Sequence, residues 1–434
     1  MHSADPPPAS LRAWQLRVFW LLWGAYAAYY LCRVNFAVAQ PAILRAFPSW
    51  TKEQIGLIPS TYAIFYAAGQ LINGALGQRF GARRLMTAAL SVALVVNLLF
   101  AFASSFRVML VLWAINGYAQ SAGWSLLVQT ISNWHTSKRR GTVIGLISTC
   151  YQVGNVISWI LAGSCCEALN WRAAFWVPSL ILVPVTIAFR LGLRDSPEEA
   201  GLPPVRDDGV ETPAAAHAPD SARQAVGWRA TCQLLVLTLS NRVLWVLGLG
   251  YFCMNSVRYT FLNWTVQYMT DYHHRTIRGG AFMAVVIPLV GALGAVASGW
   301  LSDTVFGKRR APVCALMLSG LAGVCVLFTF IPQGRWGEAT ALLGLAGFLI
   351  YGPDMLMSGA ATVDVSHPKA ASIATGLTMC LGASGSILSG AGVGKLIDLT
   401  KGDWALLFWL LGGLALASAL LMVSIWNARP KGAR

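Results

Sequence analysis

Apolar runs of about 20 residues, the length that spans a bilayer core as an α-helix, recur along the whole chain and are separated by short polar connections. Twelve spans are predicted, at 18–44, 54–77, 84–104, 107–133, 141–165, 171–192, 238–265, 279–302, 311–331, 338–361, 371–396 and 404–426. One connection is long. Residues 193–237 are rich in Pro, Asp, Glu and Ala (RDSPEEAGLPPVRDDGVETPAAAHAPDSARQ) and predict a flexible linker. The chain therefore divides into a tail at 1–17, a six-helix bundle at 18–192, the linker, a second six-helix bundle at 238–427, and a tail at 428–434. Residues 1–13 (MHSADPPPASLRA) are expected to be disordered and lack a signal-peptide cleavage pattern.

Composition agrees with the spans. Of 434 residues, 56% are hydrophobic and 11% charged, against roughly 25% charged in a soluble domain. The chain reads as an all-α polytopic membrane protein. The net charge of +15 does not point to nucleic acid, because the basic residues form short clusters between apolar runs. Most of the Lys and Arg fall on the side of the termini and linker, which predicts cytoplasmic termini, with a bacterial inner membrane as the expected location. The nine cysteines lie in or beside apolar runs without paired spacing and read as small hydrophobes. His135, His273, His274 and His367 fall in connections and are expected to be solvated.

The two halves repeat. Arg33 and Arg258 lie 225 residues apart, and the same offset relates GALGQRFGARR (Gly74 to Arg84) to GWLSDTVFGKRR (Gly299 to Arg310). In the fifth and eleventh spans an offset of 231 relates Gly145 to Gly376 and Gly154 to Gly385. Such constancy predicts two homologous bundles with a substrate site at mid-depth, faced by the first helix of each half. Arg33 and Arg258 each sit deep in an apolar span. A guanidinium stays charged and costs about 3 kcal/mol at a bilayer centre on insertion scales. Intramembrane charges are functional by default, so these two are the leading candidates to meet an anion. No nucleophile–base pair, metal cluster or phosphate-binding glycine loop stands out, so neither an enzyme nor a cofactor is expected.

The paired loops resemble the signature loop of the major facilitator superfamily. The second copy keeps Gly299, Asp303, Gly307, Lys308, Arg309 and Arg310; the first keeps Gly74, Arg79, Gly81, Arg83 and Arg84, with Gln78 where an acid is expected. The resemblance implies that these loops latch one side of the cavity, more weakly in the first half. Within that superfamily the chain resembles the organophosphate:phosphate antiporters. The stretches that carry this are YAAYYLCRVNFAVAQP, VRYTFLNW, NGYAQSAGW, RDSPEEAGLPP and LIYGPDMLMSG. The resemblance implies the major facilitator fold and exchange of a phosphate ester for inorganic phosphate, with the phosphoryl group on Arg33 and Arg258. Such a dianion suits two guanidinium forks.

Tyr26, Tyr30 and Arg33 share one helix face and are expected to line the cavity. Tyr66 precedes Gln70 by one turn. The resemblance places Gln70 where the family has a lysine and Tyr151 where it has a histidine. Gln152 and Tyr351 join the candidate set. Asn116, Gln120, Gln129, Asn155, Asn255 and Asn263 read as bonds between helices. Asp354 follows Gly352 and Pro353, where relatives often have a neutral residue; it can pair with Arg258, carry a proton or meet a substrate amine. The expected partners are a small anionic substrate and the lipid bilayer, with the chain acting as a monomer. Two other functions stay open: proton-coupled symport of another organic anion, such as a carboxylate or phosphonate, and a non-transporting sugar-phosphate receptor.

Overall fold

The structure, a computed structural model, describes residues 9–205, 236–307, 309–366 and 371–427. Those residues are helical, with no strand among them. In the first half the helices are α1 (Ala9–Leu31), α2 (Asn35–Ala46), α3 (Lys52–Phe80), α4 (Ala82–Phe102), α5 (Phe106–Gln120), α6 (Ala122–Trp134), α7 (Ser137–Ile147), α8 (Thr149–Ala168) and α9 (Ala173–Gly192). The second half holds α10 (Arg242–Asp271), α11 (Ile277–Ala284), α12 (Val286–Thr304), α13 (Arg310–Phe328), α14 (Trp336–Met355), α15 (Ala361–Val365), α16 (Ala371–Leu399) and α17 (Ala405–Ser424).

Eight helices among the described residues are long and apolar enough to cross a membrane. The four other predicted spans correspond to α1–α2, α3, α5–α6 and α10. Two of these are interrupted, at 32–34 and at Ser121. α10 carries buried polar residues in place of aliphatic ones, Asn255, Ser256 and Gln267.

Contacts group the chain into two compact units. One comprises Met1–Asn35, Phe65–Ser158 and Arg172–Arg223; the other comprises Phe36–Ile64, Trp159–Trp171 and Gln224–Arg434. In the first unit α4 packs along α9 and α5. A Cβ on Gly154 would strike the backbone of Ala27, so only glycine lets α8 and α1 approach this closely. In the second unit α10 packs along α16 and α17, and α12 along α14. A Cβ on Gly385 would strike the Phe252 carbonyl. Ala27 and Phe252 are 225 apart and Gly154 and Gly385 231 apart, so the same crossing recurs at the repeat offsets.

The second unit also holds Phe36–Ile64 and Trp159–Trp171 of the first half. There the Asp398 carboxylate accepts from the backbone N–H groups of Lys52 (3.2 Å) and Glu53 (2.8 Å) at the start of α3, supplying an acidic cap. Lys52 pairs with Asp271 at 2.6 Å. Gly56 on α3 and Gly390 on α16 meet backbone to backbone.

Two expectations need correction. Helix α1 begins at Ala9, inside the stretch expected to be disordered. Trp14 stacks on Trp134 at 6.0 Å, and Gln15 donates to the Trp134 carbonyl at 2.7 Å, so the segment is docked. His273 is buried, 3% exposed, against Tyr268 and Tyr272, and His135 is half-buried; only His274 is exposed as expected. His367 lies outside the described residues.

Candidate substrate site

Arg33 sits on a helix interruption. Helix α1 stops at Leu31, and the chain turns through 32–34 before α2 resumes at Asn35. The amides of Cys32 and Arg33 bond back three residues, to Tyr29 (3.1 Å) and Tyr30 (3.2 Å), the tighter pattern of a 3₁₀ turn. The Cys32 carbonyl instead accepts from three side-chain amides: Asn116 at 2.8 Å, Gln120 at 3.0 Å and Asn97 at 3.2 Å. Asn35 donates to Asn97 at 3.1 Å and to the Ala174 carbonyl at 2.9 Å. All four amide side chains are buried. Asn116 and Gln120 do bond helices together, as read from sequence, and they do so at the residue before Arg33.

The Arg33 guanidinium lies over the rings of Tyr66, at 4.6 Å, and Tyr30, at 5.1 Å. That is cation–π range. Tyr30 is 6.4 Å from Tyr151 and 5.9 Å from Tyr26. Four of the predicted tyrosines therefore gather at Arg33. Tyr26 is only 5% exposed and packs on Tyr29 and Trp124. It supports the Tyr30 ring rather than lining open space, because a Cβ on Gly123 would already be in contact with its ring. Gln70 is exposed on α3, and Gln152 is half-buried with its Oε1 unpartnered.

The Arg258 half-site is built differently. Helix α10 runs unbroken from Arg242 to Asp271. Arg258 Nη1 lies 2.7 Å from Asp354 Oδ1, and the Tyr251 hydroxyl donates to the same oxygen at 3.0 Å. Tyr351 and Tyr259 present rings 5.0 and 5.5 Å from the guanidinium carbon. Arg258 Nε and Tyr351 Oη are buried without a hydrogen-bond partner. Of the readings open for Asp354, the structure shows the pairing with Arg258. Removing one partner of a buried pair strands the other charge, at about 3–5 kcal/mol. Beyond Asp354, α14 gives way to a π-turn at Leu356–Ala360. Pro353 lies inside the helix, where it lacks an N–H and crowds the carbonyl four residues back, and π-turns are frequent at functional sites.

The loops hold a surprise. Arg310 pairs with Asp303 at 2.7 Å and with Asp364 at 3.3 Å, and Arg309 Nε donates to the Phe306 carbonyl at 3.3 Å. Lys308 and the side chain of Gln78 lie outside the described residues, and Gly74 carries no side chain. In the first copy an acid is nonetheless present: Asp195 Oδ1 accepts from the Arg83 N–H at 2.7 Å. Burial pushes the Asp195 carboxyl above the usual carboxylate range, against the Arg83 N–H and neighbouring arginines, which act to lower it. Gly81 adopts a φ of +82°, and a Cβ there would strike the Asp195 carboxylate. Arg79 lies over the Phe80 ring and Arg84 is exposed. The acid thus comes from the segment after the sixth span, 112 residues on.

Sequence reasoning missed Asn97, Tyr251 and Asp195. Asn97 is a lone polar residue within ALVVNLLF, a signal available to inspection. Tyr251 precedes Arg258 by two helical turns and so shares its face.

The family model of the Major Facilitator Superfamily matches residues 22–390. A probable hexose phosphate transport protein of Chlamydia pneumoniae is 28% identical over 97% of this chain and 93% of its own. The membrane sensor protein UhpC of Salmonella typhimurium is 28% identical over 99% and 94%. The glycerol-3-phosphate transporter of Bacillus subtilis is 27% identical over 96% and 94%. Among solved structures, a bacterial homologue of the human lysosomal transporter Spinster, inward-facing and unoccupied, matches with a TM-score of 0.73 at 16% identity, covering 98% of this chain and 96% of that one. The nucleoside transporter NupG matches at 0.70 and 12% identity, over 95% and 100%. The fold is accordingly the twelve-helix, two-bundle major facilitator fold.

Proposed function

The chain belongs to the Major Facilitator Superfamily as a multi-pass membrane transporter, and from that premise we propose that it exchanges a small organic phosphate ester for inorganic phosphate by alternating access. Arg33 and Arg258 hold the phosphoryl group. The observation that carries this is the pair of intramembrane arginines, each set against tyrosine rings: Arg33 on Tyr30 and Tyr66, Arg258 on Tyr351 and Tyr259. The unpartnered Arg258 Nε and Tyr351 Oη are donors suited to an acceptor-rich ligand such as a phosphoryl group. Relatives named for hexose phosphate and glycerol 3-phosphate support the substrate class.

The test is exchange in proteoliposomes preloaded with labelled phosphate and challenged with a panel of external esters. Arg33→Lys and Arg258→Lys keep the charge but lose the planar fork, and each is expected to abolish most exchange. Full activity in both would refute the assignment. Saturable ester binding without flux would favour a sensor, the role named for one relative. The Arg258–Asp354 pair favours a second reading, proton-coupled symport of an organic anion, because a proton on Asp354 would free Arg258. Uptake driven by an imposed pH gradient without internal phosphate, and lost in Asp354→Asn, would support it.

A further inference from the structure

Asp354 sets a carboxylate against Arg258, the arginine proposed above to hold the phosphoryl group. Its Oδ1 is 2.7 Å from Arg258 Nη1 and is steadied by the Tyr251 hydroxyl at 3.0 Å. The pair is not sealed, since the two side chains keep 16% and 14% of their exposure. The same guanidinium retains a buried Nε with no acceptor. So Asp354 satisfies the charge of Arg258 while leaving part of its donor fork unused.

That arrangement changes the charge balance of the cycle. A half-site holding one guanidinium and one carboxylate is formally neutral. An unpaired guanidinium in a low-dielectric interior resists any step that moves it away from water, and this is the physical basis for obligatory exchange. We infer that Asp354 is the resident counter-ion of Arg258, standing in for the phosphoryl group when none is bound, and that the protein therefore moves phosphate anions in net fashion as well as one for one. On binding, a phosphoryl oxygen takes the place of Asp354 on Arg258; on release, Asp354 returns, and the protein completes its cycle without a second anion. Tyr251 is the positioning residue that keeps the carboxylate within reach. The inference rests on the reading of Arg258 as a phosphoryl-holding residue.

The experiment compares two fluxes from the same full-length protein in proteoliposomes loaded with labelled phosphate. The pH is equal on both sides, and the membrane potential is held at zero with potassium and valinomycin. One arm measures release into chloride medium free of phosphate and esters; the other measures release into medium containing phosphate. The wild-type chain is expected to release label in both arms at comparable rates. In Asp354→Asn, which keeps the shape but removes the charge, the ratio of net release to exchange is expected to fall about tenfold or more. Tyr251→Phe should lower the same ratio by less, and serves if Asp354→Asn folds poorly. Wild-type label retained until external phosphate is added would overturn the inference, as would a ratio unchanged in both variants. Net release that appears only with an imposed pH gradient would also overturn it, making Asp354 a proton carrier instead. No flux in any arm, exchange included, would sink the phosphate reading itself and the inference with it.

Discussion

Asn116 donates through Nδ2 to the carbonyl oxygen of Cys32 at 2.8 Å, immediately before Arg33. In an unbroken helix that carbonyl would accept from the amide of Phe36. Here side-chain amides from α4 and α5 take it, and the helix opens at the residue proposed to hold substrate. The interruption is stabilised from outside the segment, because 32–34 contains neither glycine nor proline.

Weakening that network should loosen Arg33. Asn116→Ala leaves Gln120 and Asn97 as donors and is expected to cost about 1 kcal/mol, whereas Asn116→Ala with Gln120→Ala should cost about 1–3 kcal/mol. Thermal unfolding in detergent reads the stability, and the phosphate KM of exchange reads the aim of Arg33. A several-fold rise in KM is expected for the double variant. An unchanged KM with lowered stability would show the network to be structural only.

Gly390 should resist enlargement while Gly376 tolerates it. A Cβ at Gly390 would strike the Gly56 carbonyl and the Ser60 hydroxyl, whereas one at Gly376 meets nothing within 4 Å. Gly390→Ala is expected to destabilise by about 1–3 kcal/mol. Gly376→Ala should be neutral or gain up to about 1 kcal/mol, since alanine is the better helix former. Side-by-side unfolding curves decide the matter; equal stabilities would contradict the close crossing of α3 and α16.

Asp195 should act as the acid of the first loop. Replacing it by Ala removes the acceptor of the Arg83 N–H near the start of α4 and is expected to cost about 1 kcal/mol, in the range of a lost helix cap. Asp195→Asn keeps an acceptor and should cost less. Equal losses for the two variants in thermal unfolding would show that charge, not the hydrogen bond, matters there.

Acid should destabilise the protein partly through His273. Burial lowers the pKa of this imidazole, with His274 acting in the same direction. A folded-state pKa below the unfolded value means that stability is present above the unfolded pKa, about 6.5, and is lost as pH falls through the folded one. His273→Phe keeps a ring against Tyr268 and Tyr272 but cannot charge. Its unfolding temperature should fall less than the wild type's between neutral pH and pH 5. Parallel pH profiles would exclude His273 as the source.

Apolar length and repeat offset are local or translational properties of the chain, so the spans, the doubling and the two intramembrane arginines could be read directly. The recurrence of the Ala27–Gly154 crossing at Phe252–Gly385 is the packing counterpart of offsets visible in sequence. The sequence could not show how each arginine is held. The break at 32–34 depends on amides 65 to 88 residues away, and the acid facing Arg258 comes from a helix 96 residues on. The acid of the first loop lies not beside its arginines but after the sixth span. Hydrogen bonds and ion pairs act over about 3 Å in space whatever the distance along the chain, so the identities of the charged groups were written in the sequence, and their partners were decided only by the fold.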